Sequence, residues 1–237
     1  MRARNKKHCA ERLAACNEIL IRSPEDIKIM PYGVELGCGK GAFITELAKR
    51  NTDRNYLAVE QNPDVAVVAV EKVMATKNTD IPIDNIRFFV GGAEKLTDYL
   101  HPRSLQRIYI NHPDPWPRRS QQKRRLSYQS YLYMYWNLLR DDGKVIFKTD
   151  NRPLFDYSVL SFKNNGFELR DVTYDLVNSK YFDDDVISEY QADFISKGQP
   201  IHRLTALKLP DFVFGDDTDR NFVTIPKIPE KNQNSII

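Results

Sequence analysis

The residues with the clearest chemical potential lie at 111–126, in NHPDPWPRRSQQKRRL. One acid, Asp114, sits between Pro113 and Pro115, and Trp116 and Pro117 follow directly. The eight residues from Arg118 to Arg125 then carry five positive charges, at Arg118, Arg119, Lys123, Arg124 and Arg125. Three prolines narrow the unfolded ensemble, so holding this loop in one geometry costs less entropy. That suits a preorganised reactive centre whose polar groups are Asn111 and Asp114. A cationic run this dense, next to a strand-end loop, suits the capture of phosphates along a nucleic-acid backbone. The plainer alternative is a solvated charged face, with Trp116 either packed as core or forming a wall for a flat base.

A second constellation lies upstream, in Glu35-Leu36-Gly37-Cys38-Gly39-Lys40-Gly41. Alternating glycines let the backbone pass close to a ligand with torsions other residues avoid. A dinucleotide loop would read G-x-G-x-x-G, with a helix N-terminus facing pyrophosphate. Here the spacing is G-x-G-x-G, and Glu35 precedes it. That acid would repel pyrophosphate and favour a ligand with an amine or a sulfonium. S-adenosylmethionine (SAM) carries both. Glu60 stands nineteen residues past Gly41 (60 − 41), at the end of the next strand, where a carboxylate can accept both ribose hydroxyls. A third strand runs into Gly91-Gly92-Ala93-Glu94, and backbone groups of Gly92 and Ala93 can meet the edge of an adenine. Each segment alone also reads as a tight turn with unrelated surface acids.

Alternating strands and helices position these groups. GVELG (33–37), RNYLAVE, NIRFFV, LQRIYIN and KVIFKT read as strands, and FELRDVTYDL and IHRLTALKL as two more. Between them, GAFITELAKR places Phe43, Ile44, Leu47 and Ala48 on one helical face. Asn62-Pro63 starts a helix running to about Lys77, residues 127–139 form another, and Pro153–Asn164 is closed by Gly166. The order predicts an α/β fold: a mostly parallel, doubly wound, seven-stranded sheet ending in an antiparallel hairpin, with helices on both faces and ligands at the C-terminal strand ends. Residues 1–30 read as a basic N-terminal segment with weak helical pattern, 31–209 as one domain, and 210–237 as an acidic, then proline-spaced tail, partly disordered.

Composition is that of a soluble globular protein. The chain has 237 residues, 41% hydrophobic and 28% charged, with a net charge of only +3. A nucleic-acid signal must therefore come from where charge is concentrated. Cys9, Cys16 and Cys38 fit neither a metal spacing nor a disulfide framework, which points to a reducing, cytoplasmic setting and no metal. No apolar run approaches membrane-spanning length, and the basic N-terminus lacks the apolar region of a secretory signal. A monomer and a homodimer are both compatible with the sequence.

GVELGCGKGAF, NHPDPWPRRSQQKRRLSYQSYL, KVIFKTDNRPLF, SEYQADF and KGQPIHR, in that order, resemble the bacterial single-subunit tRNA (guanine-N7-)-methyltransferases, and RARNKKHCAE also fits. The resemblance spans roughly residues 1–209. It implies a class I SAM-dependent, Rossmann-like fold and 7-methylguanosine as product, in the variable loop of tRNA at position 46. It implies Glu35, Glu60 and Asp114 at the SAM pocket, Asp114 as catalytic acid, and tRNA contacts at Arg118, Asp150 and Ser188-Glu189-Tyr190-Gln191. Three features depart from the family pattern. Gly92 stands where an acid is usual near adenine, so that Glu94 or backbone groups substitute. Gln191 replaces a common acid, and the tail from about Pro210 has no counterpart.

The implied chemistry makes limited demands. Guanine N7 has a free lone pair and no proton, so it can attack a sulfonium methyl in line without a base. Positioning and electrostatics then dominate. The usual arginine reading of guanine occupies O6 and N7, yet N7 must stay open here. The Watson–Crick edge offers N1–H and N2–H2 donors, for which the carboxylates of Asp114, Asp150 and Glu189 are matching acceptors. Asp150 reads equally as a strand-end turn acid. Three other functions share these features: a SAM-dependent enzyme on a small molecule, an RNA-binding protein on a methyltransferase fold without activity, and, least compatible with Glu35, a nicotinamide oxidoreductase. Competition by tRNA and calorimetric SAM binding distinguish them.

Replacing Arg118, Lys123 and Arg124 by Ala should weaken tRNA binding and flatten its salt dependence. Each lost phosphate contact should reduce the log–log slope by about 0.7 to 0.9. An unchanged slope in a folded variant would make the run a solvated face.

Overall fold

A computed structural model describes residues 8–215. The strands are β1 (Leu20–Ile21), β2 (Gly33–Leu36), β3 (Tyr56–Glu60), β4 (Ile86–Val90), β5 (Leu105–Asn111), β6 (Leu139–Thr149), β7 (Phe167–Thr173) and β8 (His202–Lys208). They form one sheet in the order β1-β4-β3-β2-β5-β6-β8-β7. The first six are parallel, and β8 runs antiparallel to both β6 and β7. The expected terminal antiparallel pair is present. Its connection, residues 174–201, is long and carries a short helix.

The helices are α1 (Cys9–Ala15), α2 (Ala42–Arg50), α3 (Pro63–Met74), α4 (Gln129–Leu138), α5 (Arg152–Asn164) and α6 (Glu189–Ser196). Alternation along the strands decides which face each helix covers. In β3, Leu57 and Val59 join the cluster containing Tyr135 of α4 and Phe155 and Phe162 of α5, whereas Tyr56 and Ala58 join the cluster of α2 and α3 with Ile44, Leu47, Val67 and Val70. Both faces are buried, so the parallel strands read as apolar runs rather than as clean alternation.

The expected seven-stranded sheet gains an eighth strand. β1 pairs with β4, Leu20 opposite Phe88 and Ile21 opposite Phe89. Two residues are too short for periodicity to register. From His8 onward the N-terminal segment is part of the packed body: Leu13, Cys16 and Ile19 are buried in the α2/α3 cluster, and Arg12 of α1 makes paired hydrogen bonds of 2.7 and 2.6 Å to Glu71 of α3.

Capping follows the sequence signals. Asn62 accepts from the Asp64 amide at 3.0 Å, and Asn151 accepts from the Leu154 amide at 2.9 Å, each ahead of a proline in the first turn. The segment just past β8 also packs. Phe214 lies edge-on to Tyr133 and Trp136 of α4, and Trp136 Nε1 donates to the Leu209 carbonyl at 2.9 Å. Phe212 sits against Gly166, where an added Cβ would approach its ring to 2.9 Å. The remainder of the expected tail, 216–237, lies outside the described residues.

Gly166 combines a φ of 84° with that close contact. Gly166→Ala should therefore cost about 1–3 kcal/mol, from left-handed backbone strain and displacement of Phe212. A urea midpoint equal to that of the unsubstituted protein would show that neither constraint matters.

Candidate active site

The strand order reverses between β2 and β5, the place where a doubly wound sheet opens a crevice at its carboxyl ends. Leu36 is opposite Ile110, so Glu35 and Asn111 meet at this crevice. Asn111 Nδ2 donates to Glu35 Oε1 at 2.9 Å. The other two atoms of the pair, Glu35 Oε2 and Asn111 Oδ1, are buried without a hydrogen-bond partner. Such orphaned acceptors are costly and mark a place where a donor belongs. Burial raises the Glu35 carboxyl to about 8, against the hydrogen bond from Asn111 and the charge of Lys148. A ligand presenting a cation here would restore the ionised form.

The glycine loop frames the crevice. Gly37, Gly39 and Gly41 all have positive φ, and a Cβ on Gly37 or Gly39 would meet nothing within 4 Å. The backbone therefore borders open space, as a close-fitting ligand cradle requires. Glu60 fixes the loop from the end of β3. Its Oε2 accepts from the Gly39 amide at 3.1 Å and its Oε1 from the Asn62 amide at 2.9 Å. Each oxygen keeps a lone pair, so ribose hydroxyls can still be accepted. At the end of β4 the Glu94 carboxylate occupies the space a side chain on Gly92 would fill. Glu94 thus delivers an acid to the position that Gly92 leaves bare. Ala93 begins the 3-10 turn that directs it there.

The loop after β5 holds Asp114 out to solvent between fixed neighbours. His112 and Trp116 adopt left-handed φ of 49° and 41°. Here the expectation for Arg125 is corrected. It is 3% exposed, with Nε donating to the Pro115 carbonyl at 3.1 Å and Nη2 to the Trp116 carbonyl at 3.0 Å, and its guanidinium lies 4.4 Å from the centre of the Tyr157 ring. Arg125 braces the Asp114 loop from below and is unavailable to phosphate. It follows a 3-10 segment, Arg119–Arg124, with extended torsions that turn its side chain inward. Arg118, Arg119, Lys123 and Arg124 stay exposed, and among the described residues none pairs with an acid. Arg124 covers the Trp116 ring at 4.9 Å, so Trp116 packs beneath a cation at the loop surface.

The 188–191 segment divides. Tyr190 is 65% exposed and Glu189 pairs with Lys40 of the glycine loop at 2.9 Å. Ser188 Oγ caps α6 by accepting from the Gln191 amide at 3.1 Å. Gln191, expected to touch substrate, is fully buried, a second correction. Its Oε1 accepts from Lys148 Nζ at 2.8 Å and its Nε2 donates to Asp185 Oδ2 at 2.6 Å. Lys148 Nζ also bonds both Asp185 oxygens at 3.0 Å and the Val186 carbonyl at 2.9 Å. Burial pulls the Lys148 ammonium below its usual range and Asp185 opposes this. Asp185 thus supplies the carboxylate that partners Lys148, and Gln191 a neutral amide beside it. Sequence reading missed Lys148 and Asp185. A lysine inside the apolar strand KVIFKT was the available signal for the first, but nothing local marks the second.

Asp150 is no helix cap, because Asn151 caps α5. Its Oδ1 lies 3.1 Å from His112 Nδ1 and its side chain is one-third exposed. Burial works to raise its pKa, yet the hydrogen bonds from His112 and its own backbone bring it below the ordinary carboxylate range. Among the described residues no cluster of His, Cys, Asp or Glu suits a metal, and no helix is long and apolar enough to cross a membrane.

A family model described as a putative methyltransferase matches residues 30–204. The tRNA (guanine-N(7)-)-methyltransferase of Streptococcus sanguinis strain SK36 is 40% identical over 215 residues, covering 87% of this chain and 99% of its own length. That of Lachnoclostridium phytofermentans is 40% identical over 217 residues, covering 88% and 99%. Among solved structures, one titled an antibiotic-related methyltransferase superposes with a TM-score of 0.58 at 17% identity, covering 79% of this chain and 94% of its own. The 16S rRNA methyltransferase KamB gives 0.58 at 14%, covering 75% and 87%. At such identities the likeness is one of fold. The reversed strand order and the acid-lined glycine crevice define a class I methyltransferase. With the relatives just described, the chain belongs to the tRNA (guanine-N(7)-)-methyltransferase family.

The raised Glu35 carboxyl carries a pH signature. The native state keeps its proton between the unfolded value of 4.5 and about 8, while the unfolded state loses it, so this group's contribution to stability falls as pH rises through that window. The ligand-free protein should lose Tm relative to Glu35→Gln across this range. A constant difference between the two melts would contradict the buried, proton-holding state.

Proposed function

We propose that the chain transfers a methyl group from SAM to N7 of a guanine in tRNA, giving 7-methylguanosine at variable-loop position 46. It acts in the cytoplasm, as a monomer or homodimer. The observation that carries this reading is the continuity of three features around one crevice: orphaned buried acceptors at Glu35 and Asn111, an exposed acid at Asp114, and four exposed cations without an acid partner just beyond it.

SAM supplies a methyl on a sulfonium, activated for transfer without further chemistry. Glu35 and Asn111 offer the buried acceptors for its amine end, Gly37, Gly39 and Gly41 the close backbone, Glu60 the ribose acceptor, and Glu94 with the backbone of Gly92 and Ala93 the adenine edge. When bound, SAM would supply that methyl to the N7 lone pair, with the electron pair of the broken S–C bond remaining on sulfur. Positive charge passes to the purine. Asp114, held by the arginine-braced loop, stabilises that charge as it develops, which is the preorganised electrostatic contribution expected to dominate. Asp150 and Glu189 accept from the Watson–Crick donors and leave N7 free. Arg118, Arg119, Lys123 and Arg124 hold phosphates, and Tyr190 offers an exposed ring for stacking.

Labelled-methyl transfer from SAM to unmodified tRNA, with mapping of the product nucleoside, tests the reading directly. Asp114→Asn keeps the shape and removes the charge. It should lower the single-turnover rate far more than SAM affinity. SAM binding without transfer in the unsubstituted protein would instead favour an inactive RNA-binding protein. A label on another base or position would overturn the site assignment.

A further inference from the structure

His112 is held at some expense. Its backbone is left-handed, at a φ of 49°, a conformation uncommon outside glycine. Its side chain is 4% exposed, and its Nε2 is buried with no partner. A buried imidazole with one unsatisfied nitrogen destabilises a fold unless its other contacts compensate. Those contacts are few and directed. The His112 amide donates to the Lys148 carbonyl at 2.8 Å, the ring lies 5.3 Å from the Phe194 ring of α6, and Nδ1 lies 3.1 Å from Asp150 Oδ1. Strained, over-determined residues of this kind cluster at working sites.

We infer that His112 is a positioning residue that orients the Asp150 carboxylate toward the substrate base. This rests on the role given to Asp150 under the proposed function. With the proton on Nδ1, the ring donates to one carboxylate oxygen and fixes the torsions of a side chain that is otherwise one-third open to solvent. The remaining acceptor capacity of Asp150 then points in one direction rather than many, as donors to a charged acceptor enforce. His112 lies two residues before Asp114, so one loop sets both acids: Asp114 directly, and Asp150 across the β5–β6 strand ends. Phe194 buttresses the ring from α6, the helix that also carries Glu189 and Tyr190. The tRNA-facing segment and the base-reading acid are thereby held in register through one imidazole.

The test uses the full chain, saturating SAM and unmodified tRNA, with kcat and KM for tRNA measured separately. The proteins are the unsubstituted chain, His112→Phe, His112→Asn, Asp150→Asn and the double variant His112→Phe/Asp150→Asn. Phe keeps a ring against Phe194 but removes the donor. Asn places an amide N–H near the former Nδ1. His112→Phe should lower kcat/KM for tRNA about tenfold, the loss expected when one charge-assisted hydrogen bond is removed, with SAM affinity unchanged. His112→Asn should recover most of it. In the Asp150→Asn background, adding His112→Phe should cost less than about twofold, because coupled residues are not additive. A tenfold loss that persists in that background overturns the inference, as does wild-type kcat/KM in His112→Phe when Asp150→Asn is impaired. Wild-type activity in Asp150→Asn removes the reading of Asp150 and this inference with it. If His112→Phe fails to fold, His112→Gln, which moves the amide to the Nε2 position, replaces it. Gln must then be impaired and Asn not, and equal activities overturn the inference.

Discussion

Glu35 is buried in the crevice where the strand order reverses, with one oxygen bonded to Asn111 and the other bonded to nothing. Much of the surrounding architecture can be understood from that constraint. A carboxylate cannot be left ionised and unpaired in such a place, so it holds a proton until something positive arrives. Lys148 is close enough to influence it but is committed elsewhere, to Asp185, Val186 and Gln191. Had Lys148 been free to turn toward Glu35, the two would pair and the crevice would keep no unpartnered carboxyl oxygen.

The same lysine joins two parts of the site that are distant in sequence. It belongs to the end of β6, two residues before Asp150, and it ties down the stretch from Asp185 to Gln191. Lys40 of the glycine loop reaches the same helix through Glu189, but that pair is exposed and contributes little on its own. The buried contact fixes α6, and the surface contact adjusts it. Ordering of the glycine loop and of the 185–191 segment is therefore mechanically linked, with the stronger connection on the inside.

Much of this arrangement was legible in the sequence. β5 begins and ends where LQRIYIN does, and the Asn-Pro start of α3 is the cap it resembles. The nearness of Glu35, the glycine loop and Glu60 at the strand ends followed from short-range patterns of acid, glycine and strand-end acid. What could not be read was whatever depends on direction or on distant partners. Arg125 looks like its four cationic neighbours, because only the backbone turn after Arg124 sends it inward. Gln191 reads as a surface ligand until Asp185, one of three consecutive aspartates, is found beside it, both bonded to the buried Lys148. His112 was passed over because its partner lies thirty-eight positions away. α6 escaped because eight residues with one buried side chain have no apolar stripe to display.

The two-residue strand β1 has a consequence for the life of the protein outside its site. An open sheet exposes a row of unpaired amides and carbonyls at each border, a template for pairing with another molecule. Without β1, the template would be β4, whose IRFFV is apolar enough to attract neighbours. β1 covers it and is itself too short to recruit a further strand, and Pro24 stands three positions past its end. At the opposite border β7 carries Glu168, Arg170 and Asp171, and its pairing is broken by an irregularity between Arg170 and Thr173. Both borders are thus blunted by different means, one by brevity and proline, the other by charge and a bulge. Neither border therefore offers a second copy a long, flat, uncharged edge to pair with.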